Sequence, residues 1–527
     1  MVDNDFRFRI LVTADLHGQL LAVDYATGKP SDHGLAVISK KIQDLKEKNT
    51  ILIDLGDVLQ GSPLMSFHER HRNLHPNPAA IAMNYLGYDY FVPGNHDFNY
   101  GQDYLSDFIS QLQAKSLCGN IYRNNKLAFG IPYDLIQYPE GPKIAIVGIT
   151  THYIPMWEQK DHILDLDFHD AFGKAQSYVN EIKERHQPDL IVMAYHGGFE
   201  RDLDTFEPYV EDTGENQGSR MLKEIKGIDV LLTSHQHRQI AKKVEATLVI
   251  QPEHSGKGFG LVECYFEKKE DNWIVKNASV EFITKGAEEP DPTLTKMLSI
   301  IEDATQAYLD EPIGVSKDDD LVITDQFQAR LHKHKIVSLI NQVQLEKTKA
   351  MISAASLGNS VTGFKKLITI RDVLSTYVYP NTIVVVEIDG KRLKMALEKN
   401  AEYFDLKDGK IVSSPKFSYP KKEHYNYDMF DGIEYTIDVA KPSGERIVSL
   451  TYQGHKIADR DRFTLALNNY RASGGGEFTM YRGLKVVKEL DTDIAELMTE
   501  YIIKNKVIEV DDPKNVSVIA SNKLKTG

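Results

Sequence analysis

Cysteine is nearly absent: the 527 residues hold only Cys118 and Cys264, which excludes a disulfide framework. Both lie among apolar neighbours, in "SLCGN" and "LVECYF", and read as buried, inert thiols. No apolar run approaches the ~20 residues needed to span a bilayer, so no membrane partner is expected. Excess positive charge is missing as well. The chain has 62 basic against 76 acidic residues, a formal charge of −14, and no block of Lys and Arg. Phosphate backbones are held by clustered basic side chains, so a nucleic-acid polymer is not the expected partner. An acidic chain can still bind small phosphates, because bound divalent metals invert the local field. No basic-then-apolar leader precedes the first strand, and the expectation is a soluble, cytoplasmic protein. A chain trimmed of a signal peptide would read the same. Internal repeats and low-complexity tracts are absent, and nothing marks an obligate protein partner.

What is present is ordinary globular composition, 42% apolar and 26% charged, at a length that favours two or three domains. The first half alternates strand-like runs ("FRILVTAD", "TILIDLGD", "YDYFVPGNHD", "KIAIVGIT", "DLIVMAYHGG", "IDVLLTSHQH") with helix-like ones (34–48, 78–87, 169–185). Continuous apolar strands between helices predict a largely buried sheet covered by helices, an α/β fold. "TLVIQPE" and "GLVECYF" continue as strands without intervening helices. Near 285–293 the polar, proline-bearing "KGAEEPDPTLTK" predicts a linker, followed by a connecting helix. The expected domains are 1–286, a linker and helix at 287–311, and an α+β region at 312–527. Within the latter a helix is expected near 330–347, with His332 and His334 of "ARLHKHK" on its solvated face.

Chemistry gathers at the strand ends. "LVTADLH" delivers Asp15 and His17, "LIDLGD" delivers Asp57, and "VPGNHD" delivers Asn95, His96 and Asp97. "IVMAYH" delivers His196, and "LLTSHQH" delivers His235 and His237. In an α/β sheet ligands bind beyond the carboxyl ends of the strands, so these groups can converge. Any one motif alone is weak, since a strand ending in D-x-H arises by chance and "GNHD" can be a capped turn. Together, and in this order, they are hard to obtain from packing, because unpartnered buried Asp and His are costly. Imidazoles with carboxylates suit Zn, Mn, Fe or Ni rather than Ca.

This motif series resembles the calcineurin-like binuclear metallophosphoesterases, and the second half resembles the 5′-nucleotidase and 2′,3′-cyclic-nucleotide phosphodiesterase group. The resemblance implies a four-layer sandwich domain followed by a smaller α+β domain that holds the substrate. It implies two divalent ions (Mn, Zn or Fe), one on Asp15, His17 and His237, the other on Asn95, His196 and His235, with Asp57 bridging. Two such ions clamp phosphoryl oxygens and acidify water. His96 would stabilise phosphoryl charge or protonate the leaving oxygen, with Asp97 the natural group to orient it. Many 5′-nucleotidases carry a later Asp as the partner of this histidine. Here "GNHDFNYG" has Asn99, which can orient an imidazole but stabilises imidazolium less well than a carboxylate.

For the base, "YNYDMFDGIEYTID" and "NNYRASGGGEFTMYRG" match the family's binding elements. Tyr427 and Phe478 are expected to sandwich it, with Tyr470 and Tyr481 in reserve and Asn468 and Arg471 contacting base or sugar. Typical 5′-nucleotidases place an Arg in the loop that here reads "AASLGNSVTGFKK", without one. These departures favour hydrolysis of 2′,3′-cyclic nucleotides or 3′-nucleotides. The alternatives are a 5′-nucleotidase or UDP-sugar hydrolase, a degenerate nucleotide-binding protein, and a sulfur-chemistry relative of the same fold.

Overall fold

The computed structural model describes residues 5–208, 214–270, 272–284, 289–319, 321–379, 381–419, 422–490 and 492–521. The chain divides into two compact units, Met1–Gln306 and Ala307–Gly527. The expected linker lies partly outside the described residues. The helix after it, Pro292–Leu309, begins inside the first unit. There the Asp291 carboxylate accepts hydrogen bonds from Ser39 Oγ at 3.2 Å and Tyr85 Oη at 3.0 Å.

Two six-stranded sheets build the first unit. One runs Asn272–Thr284, Gly258–Lys269, Asp5–Thr13, Thr50–Asp54, Tyr90–Phe91, Lys115–Ser116. The other runs Gln239–Val244, Thr247–Pro252, Val230–Thr233, Leu190–His196, Lys143–Thr150, Tyr133–Gln137. The central strands of each are parallel. Alternate side chains of the first sheet (Ile10, Val12, Ile51, Ile53) and of the second (Ile144, Ile146, Val192, Val230) meet in one core. The intervening residues are buried on the outer faces. Phe91 packs against Phe108 of helix Gln102–Gln111, and Val147 and Met193 pack with Ala175 and Val179 of helix Ala171–Arg185. Burial on both faces explains why these strands read as unbroken apolar runs. Helix, sheet, sheet, helix is the resulting layer order.

The second unit has a five-stranded sheet, Asp428–Asp431, Ile352–Ser356, Arg462–Asn468, Ile383–Asp389, Val486–Leu490, and a four-stranded one. Helices Lys335–Thr348, Gly390–Ala401 and Ile494–Asn505 share its apolar core. The expectation for "ARLHKHK" is corrected here. His332 ends helix Gln326–Leu331 and His334 caps Lys335–Thr348, its Nδ1 accepting from the Ile336 N–H at 3.2 Å. Between them Lys333 turns at φ 47° and is buried, its ammonium 2.5 Å from the Asp431 carboxylate and 2.8 Å from the side-chain Oδ1 of Asn515. Cys118 and Cys264 are buried and unpaired, and burial pushes both thiols up to about 12. Among the described residues no helix is long and apolar enough to cross a membrane.

Candidate metal centre

The strand ends of both sheets open onto one site in the first unit. Asp15 and His17 follow Asp5–Thr13, Asp57 follows Thr50–Asp54, Asn95 follows Tyr90–Phe91, His196 ends Leu190–His196, and His235 and His237 follow Val230–Thr233. The ligand atoms of Asp15, His17 and His237 lie within 4.8 Å of one another, as do those of Asp57, His196 and His235. Asn95 joins the second group, its Oδ1 lying 3.1 Å from His196 Nε2 and 2.8 Å from His235 Nδ1.

Backbone strain is concentrated here. Asp15, His17, Asp57, His235 and His237 have φ of 51°, 48°, 57°, 70° and 58°, a left-handed region that non-glycine residues seldom occupy. Such strain persists only where the surroundings over-determine it, and it clusters at functional sites. The loops also approach closely: a Cβ on Gly94 would lie 2.3 Å from Asp57 Oδ1 and 2.4 Å from His196 Cε1. Glycine is therefore required before Asn95.

The donor set fits cations. The Gln60 carbonyl faces His17 Nδ1 at 3.0 Å. A carbonyl can only accept, so Nδ1 carries the proton and the Nε2 lone pair points at His237 Nε2, 2.9 Å away. His196 Nδ1 donates to the Leu55 carbonyl at 2.5 Å, leaving Nε2 to face Asn95 Oδ1 and Asp57 Oδ2. Imidazoles that donate one N–H to a carbonyl and aim the other nitrogen into a site are the usual form of metal ligands. Asp57 Oδ2 is buried with no hydrogen-bond partner, 3.4 Å from His196 Nε2. An orphaned carboxylate oxygen at this depth calls for a positive charge beside it.

The electrostatics agree. Burial drives His17 down to about 4, against the pull of Asp57, so it is a neutral donor at pH 7. Burial works to raise Asp57, but the imidazoles around it, His196 foremost, hold it well below the usual carboxylate range. Burial works to lower His196, yet Asp57 lifts it to about 9. Asp15 is pushed well up by burial, and Asp57 adds to the rise. A proton on His196 and a metal ion are competing ways to neutralise one cluster.

His96 lies against this cluster, its ring centroid 5.2 Å from that of His17 and its backbone N–H donating to Asp57 Oδ1 at 2.7 Å. The expectation that Asp97 orients it is corrected. The 3-10 turn His96–Phe98 turns Asp97 inward, where it accepts from the backbone N–H groups of Gly94, Asp57, Val58 and Leu59 at 2.8–2.9 Å. Asp97 thus ties the Asp57 loop to the Asn95 loop. Asn99 is the group that faces His96, with its Oδ1 2.7 Å from Nδ1. Two further residues went unseen in the sequence: Glu215 meets His235 Nε2 at 2.9 Å, and Trp157 stacks on the His235 ring at 5.5 Å. His254, in "QPEHSGKG" after a strand, reads in the sequence as an ordinary loop histidine rather than one lining the cleft, and the structure corrects this: it stacks on His237 at 4.6 Å.

The expected base sandwich is also corrected. Tyr427 is wholly buried, stacked on Tyr403 at 4.8 Å and edge-on to Phe404. Phe478 is buried beneath the Arg471 guanidinium, 4.1 Å from its ring centroid, and stacks on the buried Tyr481. Neither ring has a free face. Asn468 caps a short helix by accepting from the Arg471 N–H at 2.7 Å. Arg471 is 1% exposed. Its Nε lies 2.8 Å from Asp428, Nη1 donates to Asn426 and to the Gly475 carbonyl, and Nη2 donates to the Tyr425 carbonyl and Asp428. Arg471 therefore joins the two expected binding stretches from within. Tyr470, beneath the Arg471 guanidinium, and Tyr425, whose carbonyl Arg471 binds, stay partly exposed, and Tyr379 is exposed. Tyr379 and Tyr425 meet edge-on at 5.5 Å.

An α/β sandwich with paired imidazole and carboxylate clusters at its strand ends defines a binuclear metallohydrolase class. Comparison with known proteins specifies it. Residues 8–239 match the calcineurin-like phosphoesterase family and residues 312–483 the 5′-nucleotidase C-terminal domain. A putative 5′-nucleotidase from Staphylococcus aureus superposes with a TM-score of 0.87 at 34% identity, covering 98% of this chain and 100% of that one. A 2′,3′-cyclic-nucleotide 2′-phosphodiesterase/3′-nucleotidase from Haemophilus influenzae is 27% identical over 95% of this chain and 85% of its own length. The Salmonella typhimurium protein of the same description is 28% identical over 89% and 81%. The chain belongs to the calcineurin-like phosphoesterases that carry a 5′-nucleotidase C-terminal domain, and it is a phosphoric ester hydrolase of that family, which implies divalent metals.

Proposed function

We propose that the protein hydrolyses 2′,3′-cyclic nucleotides to 3′-nucleotides, with further cleavage to nucleoside and phosphate, using two divalent ions drawn from Mn, Zn and Fe. The observation that carries phosphoester hydrolysis is the pair of donor clusters meeting around the orphaned Asp57 Oδ2. Asp15, His17 and His237 would hold one ion, and Asn95, His196 and His235 the other, with Asp57 between them. The ions would supply neutralisation of phosphoryl charge and acidified water. The chain's own residues do the rest. Asp97 fixes the loop that carries Asp57, and the carbonyls of Gln60 and Leu55 fix the rings of His17 and His196. His96 Nε2 delivers a proton to the departing oxygen, while Nδ1 keeps its hydrogen bond to Asn99.

Two observations favour the cyclic and 3′ substrates. The loop after Ile352–Ser356 has no Arg, and Arg330 beside it is 1% exposed, its guanidinium taken up by the carbonyls of Gln326, Leu357, Gly358 and His424. Among the described residues of that loop and beside it, no guanidinium is left to clamp a terminal phosphate. The curated relatives from Haemophilus influenzae, Salmonella typhimurium and Yersinia enterocolitica also carry that activity in their names. Tyr425 and Tyr470, rather than Tyr427 and Phe478, would offer the nucleobase its aromatic face, worth about 1–3 kcal/mol of stacking per base. The second reading, a 5′-nucleotidase, is favoured by the Staphylococcus aureus structure. Turnover of 2′,3′-cyclic AMP, 3′-AMP and 5′-AMP with added Mn²⁺ separates them. Dominant 5′-AMP hydrolysis would overturn the proposal.

A further inference from the structure

Beside the metal cluster runs a chain of short hydrogen bonds that no motif announces. His96 Nδ1 lies 2.7 Å from Asn99 Oδ1, and Asn99 Nδ2 donates to Glu158 Oε2 at 2.6 Å. Glu158 Oε1 accepts from the Gln159 N–H at 2.9 Å and faces His162 Nδ1 at 2.8 Å. The Glu158 side chain is only 5% exposed. It comes from the loop after Lys143–Thr150, far in sequence from the "GNHDFN" turn.

An amide has two ends of opposite character, and an imidazole has two tautomers. The carboxylate removes both ambiguities, because it can only accept. Glu158 therefore compels Asn99 to turn its NH₂ outward, so that Asn99 presents its carbonyl to His96. A carbonyl can only accept in turn, so the His96 proton sits on Nδ1. Nε2 then carries the second proton of the imidazolium, which is the one given up, and it holds the lone pair of the neutral Nδ1–H ring that remains. Without a carboxylate at 158, the amide can rotate and offer its NH₂ to Nδ1, which moves the proton to Nε2.

We propose that Glu158 is the positioning residue of the reaction: through Asn99 it sets the tautomer and orientation of His96, doing from one residue further away what a carboxylate in direct contact would do. This rests on the proposed role of His96 as proton donor. The assignment makes Asn99 and Glu158 an interdependent pair. A carboxylate at either position suffices, while two in contact repel and none leaves the amide free to turn.

The test is a double-mutant cycle on the full-length, Zn-loaded protein with 2′,3′-cyclic AMP, joined to a tautomer measurement. Wrong tautomers in carboxylate–imidazole pairs cost up to ~10⁴-fold in kcat. Because Glu158→Gln still permits the correct amide rotamer part of the time, roughly a 10–100-fold fall is expected, with KM moving less than about threefold. Asn99→Asp alone should also lose activity. The double variant Asn99→Asp/Glu158→Gln should recover to within about threefold of the parent, a rescue that a purely structural Glu158 would not give. Two-bond ¹H–¹⁵N correlation of ¹⁵N-histidine-labelled protein, at a pH where His96 is neutral, should show the Nδ1–H form in the parent and the double variant. Glu158→Gln should show a mixture. An unchanged kcat in Glu158→Gln, a double variant no better than the singles, or an unaltered tautomer would overturn the proposal. The tautomer readout needs no turnover. Should His96→Ala prove fully active, the reading of His96 as proton donor would fall, and the tautomer result would still decide the relay.

Discussion

Arg471→Met isolates the interaction that joins the two stretches expected to bind the base. Arg471 and Asp428 are 1% and 2% exposed, and their ion pair spans 2.8 Å. Removing the guanidinium deprives the carbonyls of Tyr425 and Gly475 and the Asn426 side chain of their donor, and it leaves Asp428 buried and alone. Breaking a buried pair from one side costs about 3–5 kcal/mol. In a unit of this size that lowers the melting temperature by roughly 6–20 °C. The sign of the pH dependence follows from Asp428. Burial already raises its pKa, against the pull of Arg471, and losing Arg471 raises it further. A group raised in the folded state contributes stability that is present below its unfolded value and lost as pH rises through the folded one. The deficit of Arg471→Met should therefore be largest at pH 7 and shrink on acidification, as Asp428 takes up a proton. Asp428→Asn added to Arg471→Met removes the stranded charge and should recover most of the loss at pH 7. Scanning calorimetry of the full chain is the assay. Trp157 and Trp273 both lie in the first unit, so the tryptophan fluorescence midpoint should move less than the calorimetric one. A deficit that grows on acidification, or a double variant as unstable as the single one, would refute the reasoning.

Other expectations rest on the same geometry. His96→Ala should lower kcat ~10²–10⁴-fold with little change in KM, as loss of a proton donor does; steady-state kinetics decide it. Tyr425→Ala and Tyr470→Ala should each raise KM with kcat nearly constant, by the ~1–3 kcal/mol of a lost stacking face. An equal substitution at Tyr427 should instead lower the melting temperature. With thiols pushed up to about 12, Cys118 and Cys264 should react with Ellman's reagent only as fast as the protein opens. Rapid native labelling would contradict their burial.

The sequence made the strand ends legible because each candidate ligand sits where an apolar run stops, and the order of those stops is itself a pattern. Asp97 was misread because sequence does not tell which way a residue in a 3-10 turn points. His96 and Asn99 share one side of that turn, while Asp97 faces the backbone of the neighbouring loop. Tyr427 and Phe478 were misread for a related reason. An aromatic residue in a binding stretch can face ligand or core, and both lie in the core. Glu158 and Glu215 escaped because their loops carry no motif, and only folding sets them beside Asn99 and His235. The left-handed backbone of Asp15, His17, Asp57, His235 and His237 had no counterpart in composition or spacing.

Elemental analysis of the purified, Mn-loaded chain and of Asp57→Asn tests the metal centre most directly. Two ions per polypeptide in the parent are expected, with fewer in the variant and turnover of 2′,3′-cyclic AMP reduced at least ~10²-fold, since on the proposed reading one carboxylate would serve both ions. One ion or none in an active parent, or full activity in Asp57→Asn, would contradict it.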